Sequence, residues 1–229
     1  MQTGKLVFAQ KRKPIESVSG HPTQSVKLIP YTMIVNAAVL PTPFVVTQLP
    51  DIPKQGTARR KPVAHVVLHT TGGYPDSKHL TPQRIRSEAA SSRHCLAANV
   101  HAYWSRTDRI GAAHLLVDAD GSMYQIADLS TRAMYHCVGY NQVSVGVEVV
   151  QQSDSSLFAA QLVSVVALCS WLADTFKLPR SVAMPYTGVR DVVDGVGVLG
   201  HRDLSSNRGS GDPGDFVMTA LVDAGWAAV

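Results

Sequence analysis

The sequence predicts an α/β domain in which a mixed β-sheet of about five or six strands is flanked by helices. Three observations predict it. Short valine-rich runs alternate with segments of helical period, one hairpin with Asp-Gly turn chemistry breaks that alternation, and 45% of the 229 residues are hydrophobic against 17% charged. That is enough apolar material for one buried core. No apolar run is read as a bilayer span, so no transmembrane segment is expected.

The first 56 residues differ from the rest. Seven of the 13 prolines fall between Pro14 and Pro53, which argues against a long helix there and suggests extended strands or an arm. Residues 1–60 carry eight Lys/Arg against two acids, a charge of +6, whereas residues 61–229 carry thirteen against fifteen, a charge of −2. The reading is a basic, proline-rich arm over 1–56 and a folded domain over 57–229. A slightly acidic body offers no phosphate footprint, which excludes nucleic acid as its partner. The arm, with Lys11-Arg12-Lys13, is either a solvated tail or a contact to an anionic envelope or virion surface. The apolar stretch Ile34 to Leu40 begins too far into the chain, and too close to prolines, to read as a signal peptide.

Within the domain, Val63 to His69 reads as a buried strand ending at Thr70-Thr71-Gly72-Gly73. Thr81-Pro82, a hydroxyl cap followed by proline at the first helical position, opens a helix toward Trp104. Ala113 to Val117 and Met123 to Ala127 are two strands joined across Asp118-Ala119-Asp120-Gly121. Val143 to Val150 is another strand. From Leu157 to Phe176, the spacing of Phe158, Leu162, Val165, Cys169, Leu172 and Phe176 draws one apolar helical stripe, with Asp154-Ser155-Ser156 offering capping oxygens. A last strand, Val196 to His201, precedes a Ser/Gly-rich loop and a short helix around Phe216 to Ala224.

Three cysteines, Cys95, Cys137 and Cys169, include no C-x-x-C pair, which argues against a thiolate metal site and leaves one Cys95 to Cys137 bridge open. Nine histidines are more informative. His69 and His201 fall where a strand hands over to a loop, the position from which side chains converge on a cleft. Asp212 follows His201 through a flexible segment, and Pro213 restrains its backbone. Two imidazoles and a carboxylate are a hydrolytic zinc set with a fourth position left for water. Glu148 interrupts a valine strand. Alternation places it with Ser144 and Gly146 opposite Val145, Val147 and Val149, where it either borders a polar cleft or joins an ion pair.

The motifs fall in one order: Val66-Val67-Leu68-His69-Thr70-Thr71-Gly72-Gly73, His114 with Asp120-Gly121, His136-Cys137-Val138-Gly139-Tyr140-Asn141 leading into Ser144 to Glu148, Gly200-His201-Arg202-Asp203-Leu204, and Asp212-Pro213-Gly214. Together they resemble the zinc-dependent N-acetylmuramoyl-L-alanine amidases of the type-2 class, which share a fold with peptidoglycan recognition proteins. The resemblance spans roughly residues 61–216. It implies His69, His201 and Asp212 as zinc ligands, Glu148 as the catalytic carboxylate, and His136 and Asn141 as residues lining a muropeptide groove. It also implies a peptidoglycan or muropeptide substrate, met at the bacterial cell wall as a phage or bacterial lysin or in cytoplasmic recycling. Ser210 stands where many active members carry a Lys or Thr that stabilises the oxyanion, and it offers a hydroxyl without charge. Ala113 stands where some phage members carry a Tyr. The competing readings are a binding module without catalysis and a virion- or envelope-anchored structural component.

Overall fold

The computed structural model describes residues 28–29, 32–36, 38–71, 96–150, 157–191 and 193–229. The strands are β1 (Leu28–Ile29), β2 (Thr32–Val35), β3 (Ala38–Pro41), β4 (Val46–Gln48), β5 (Gly56–Ala58) and β6 (His65–Thr70), then β7 (Leu115–Val117), β8 (Met123–Gln125), β9 (Arg132–Met134) and β10 (Ser144–Val149), then β11 (Ser181–Val182), β12 (Val198–Gly200) and β13 (Ala227–Ala228). The helices are α1 (Leu96–Arg106), α2 (Ala159–Phe176) and α3 (Asp215–Asp223).

Nine strands form one mixed sheet in the order β1-β4-β8-β7-β10-β6-β12-β11-β13. Its centre is parallel: β10 pairs with both β6 and β7, and β12 lies on the other side of β6. Every residue of β6 is buried, as expected for a parallel strand covered on both faces. The predicted hairpin is present as β7 and β8, antiparallel, and Gly121 at its turn has φ +85°, a conformation that glycine adopts without strain. One face of the sheet packs Leu68, Val145, Val147 and Val149 against Val165, Leu168 and Leu172 of α2 and Met218 and Leu221 of α3. The second core gathers Ala97, Val100 and Trp104 of α1 around Leu116, Ile126 and Met134.

The sheet has more strands than the five or six expected, because the additions are strands of two to four residues in which periodicity cannot be read. Two of them come from the proline-rich segment. β4 runs parallel to β8, and Met33 and Val46 are fully buried in the main core, so β2 and β4 belong to the same packed body as the strands after them. Other bounds differ modestly. The first predicted strand runs from His65 to Thr70, and the last ends at Gly200, with His201 opening a 3₁₀ turn. The Thr81-Pro82 start and the Asp154 to Ser156 caps lie outside the described residues, and α1 covers the end of the predicted helix near Trp104. Pro179 to Val196 supplies β11. The helix α2 has the length and composition of a membrane span, but it buries Val165, Leu168, Cys169 and Leu172 on the sheet, as a core helix does. Cys137 and Cys169 are buried free thiols, and Cys95, the other member of the open bridge, lies outside the described residues.

Candidate active site

The carboxyl ends of β6 and β10 open into one cleft of about 530 Å³, lined by His69, Thr70, His136, Glu148, Arg208 and Asp212 among others, with His201 beside His69 but outside the lining. Tyr103, Trp104, Thr107, Arg109 and Ile110, from α1 and the loop after it, form the opposite wall. Ligand sites in parallel sheets lie at such strand ends because loops there converge on rigid backbone.

His69 and Glu148 are register partners on adjacent parallel strands, so both side chains leave the sheet on the same face. His201 follows β12 directly, with its ring centroid 4.6 Å from that of His69. The returning loop is held by Arg202, which is almost fully buried. Its backbone N–H donates to Asp212 O at 2.8 Å, and its guanidinium donates to Ser210 O at 2.7 Å and Asp215 Oδ1 at 2.6 Å. Thr70 completes the closure, its N–H donating to Asp212 Oδ1 at 3.0 Å and its hydroxyl to Gly211 O at 2.8 Å. The Asp212–Pro213 bond is cis.

His69, His201 and Asp212 each bring one ligand atom within 4.8 Å of the others, which is the separation a single metal ion bridges. A further observation fits that use. His201 Nδ1 is buried and has no hydrogen-bond partner, although Asp212 Oδ2 lies only 3.2 Å away. A buried ring nitrogen beside a carboxylate oxygen, without a hydrogen bond between them, suits a cation shared by both. Burial, reinforced by the neighbouring imidazoles of His136 and His201 and by Arg208, holds His69 well below the usual histidine range. It is therefore neutral and ligand-ready at pH 7.

Glu148 is partly buried. Desolvation, with the Asp212 charge adding and Arg208 opposing, pushes its carboxyl from 4.5 up to about 8. It lines the cleft, which decides between the two expectations for it. Arg208 was not anticipated from sequence, because a residue in an irregular loop carries no periodic signal. Its side chain is 49% exposed, with Nε 3.6 Å from Asp212 Oδ2, and it brings positive charge to the cleft rim.

The remaining expected residues occupy different positions. His136 lines the cleft but is buried against the sheet, with Nδ1 3.1 Å from His69 Nε2 and Nε2 3.2 Å from Ser144 Oγ. Burial and Arg59 depress its pKa to about 3. Asn141 is not part of the cleft lining. Its Oδ1 accepts from the backbone N–H groups of His136 and Cys137 at 2.9 and 2.7 Å, which fixes the turn that carries His136. Ser210 is exposed and also lies off the lining, contributing its carbonyl to Arg202. His114 is fully buried behind the site. Its Nδ1 accepts from Gly146 N–H at 3.0 Å, and its Nε2 lies 2.9 Å from Arg59 Nη2 and 3.0 Å from Arg132 O.

Residues 59–215 match the family model described as N-acetylmuramoyl-L-alanine amidase. The chain belongs to this amidase family. The fold of this family member is similar to that of peptidoglycan recognition protein LE, solved in complex with tracheal cytotoxin, with a TM-score of 0.50 at 15% identity over 78% of this chain and 94% of that one. It is also similar to an endolysin amidase from Clostridium intestinale URNW, with a TM-score of 0.47 at 16% identity over 79% and 97% of the two chains. A peptidoglycan recognition protein from Alvinella pompejana gives 0.47 at 15% identity over 77% and 91%. At these identities the likeness concerns the fold. No curated protein sequence matches the chain.

Proposed function

We propose that this family member is a zinc-dependent amidase that hydrolyses the bond between the lactyl group of N-acetylmuramic acid and L-alanine in peptidoglycan or its muropeptide fragments. The observation that carries this reading is the convergence of His69, His201 and Asp212 within ligand distance of one another, with Glu148 lining the same cleft. Two imidazoles and one carboxylate are a donor set suited to zinc in an open catalytic site. A family member specialised for binding alone has no need of the complete set together with a raised carboxylate.

His69, His201 and Asp212 would hold the ion. Zinc, when bound, supplies Lewis-acid polarisation of the scissile carbonyl and acidification of water. Glu148, poised in the neutral range, takes a proton from the attacking water and returns it to the departing amine nitrogen, so that the amide C–N bond breaks as the new C–O bond forms. Arg208 brings a half-exposed cation to the rim, where negative charge develops on the carbonyl oxygen. The wall formed by Tyr103, Trp104 and Ile110 offers an apolar surface to the sugar and peptide and excludes water from one side of the cleft. Action on the cell wall as a phage or bacterial lysin accords with this chemistry, as does cytoplasmic recycling of fragments. The basic segment before residue 28 would favour contact with an anionic envelope or virion surface.

The test is release of L-alanine-terminated peptides from purified sacculi and, in parallel, from soluble muropeptides, using the zinc-loaded full chain and Glu148→Ala. Release by wild type on either substrate and its loss in the variant are expected. Equal release by both removes Glu148 from the chemistry, and binding without release by wild type leaves a recognition module.

A further inference from the structure

The hydrogen bonds around His136 determine where its proton lies. Ser144 Oγ donates to Tyr140 O at 2.7 Å, and a hydroxyl has only one proton to give. Its 3.2 Å contact with His136 Nε2 is therefore one in which the imidazole N–H donates. An imidazole buried between a hydroxyl and a second imidazole is neutral and carries one N–H, which leaves His136 Nδ1 as an acceptor. That Nδ1 stands 3.1 Å from His69 Nε2, so the proton between them belongs to His69. The Nδ1 lone pair of His69 is then left for a ligand.

We propose that Tyr140 O, Ser144 and His136 form a positioning relay that locks His69 in the Nε2-protonated tautomer and so presents its Nδ1 lone pair to the metal. Two independent features hold the relay in place. Gly146 on β10 lies directly under the His136 ring, where a Cβ would come within 2.5 Å of Cγ and 2.7 Å of Nδ1, so the strand is cut away to seat the imidazole. Asn141 fixes the backbone at His136 and Cys137. The outer partner of a metal-binding histidine sets both its tautomer and its orientation, and losing such a partner commonly costs 10- to 100-fold in metal affinity. His136 and Ser144 act through His69 and are positioning residues. The relay rests on the metal-hydrolase reading only for its effect on metal affinity, since the tautomers belong to the protein itself.

Long-range ¹H–¹⁵N correlation spectra of the metal-free, ¹⁵N-labelled full chain read which ring nitrogen carries each proton. His69 and His136 are both expected as Nε2–H. Zinc affinity, measured by competition with a chromophoric chelator, is expected to fall about 10- to 100-fold in Ser144→Ala and in His136→Leu. His136→Asn, whose amide oxygen sits near the place of Nδ1, is expected to recover most of that loss. Circular dichroism confirms that each variant is folded. A wild-type His69 protonated on Nδ1 overturns the proposal, as do folded Ser144→Ala and His136→Leu variants with wild-type zinc affinity. A wild-type protein with both imidazoles as Nε2–H that binds no zinc supports the relay and removes the hydrolase reading.

Discussion

Replacing Gly146 by alanine places a methyl group where the His136 ring now lies. The new Cβ would sit 2.5 Å from Cγ, 2.7 Å from Nδ1 and 2.9 Å from Cδ2, against roughly 3.5–4.0 Å for a comfortable carbon contact. The ring must therefore withdraw by about 1 Å. It cannot do so intact, because its hydrogen bonds to His69 and Ser144 already measure 3.1 and 3.2 Å and such bonds weaken steeply beyond that range. Overpacking of this kind costs about 1–3 kcal/mol, and the lost support for His69 lowers zinc affinity by about 10- to 100-fold. Urea unfolding of the metal-free protein gives the first quantity and chelator competition the second. A Gly146→Ala protein that matches wild type in both would refute the seating of His136 on β10.

Further outcomes follow from the same geometry. The raised Glu148 pKa means that, as pH climbs from 4.5 toward about 8, the unfolded chain loses this proton while the folded chain keeps it. Stability of the metal-free protein therefore falls across that window, by a few kcal/mol at most, and Glu148→Gln, followed by denaturation from pH 4 to 9, flattens that fall while abolishing peptide release. His201→Ala leaves two ligands, and elemental analysis after dialysis is expected to find it zinc-free. Arg208→Ala is expected to lower kcat by about tenfold or more with no loss of zinc affinity, and Arg208→Lys to restore part of the rate. Equal kcat values in wild type and Arg208→Ala would place this cation outside the reaction.

The residues that the sequence made legible share a physical mark. His69 and His201 end apolar strands, Glu148 is a charge inside a run of valines, and Asp212 precedes a proline, so each contradicts its surroundings in a way that an unpaired polar group rarely does without a purpose. The large helix and the Asp-Gly hairpin were legible for the same reason, because long periods and specific turn chemistry survive without tertiary context. Strands of two or three residues have no period to read, which is why β9, β11 and β13 were missed and why the proline-rich segment suggested extended strands without placing β1 and β4. His136, expected by position in a motif, lines the cleft, whereas Asn141 and Ser210, expected on the same ground, do not, because side-chain direction depends on the turn that carries each one. Asn141 turns inward to bind backbone N–H groups, and Ser210 contributes only its carbonyl. Gly146 was the one available sign that a ring lies on the strand, since a glycine in a β-strand often marks a close approach.

Zinc X-ray absorption of the loaded full chain reads whether two imidazoles and one carboxylate hold a single ion. One zinc per chain is expected, with two imidazole nitrogens at about 2.0–2.1 Å and the remaining positions filled by oxygen. A spectrum with three imidazoles, with sulfur, or with fewer than two nitrogen ligands would contradict it.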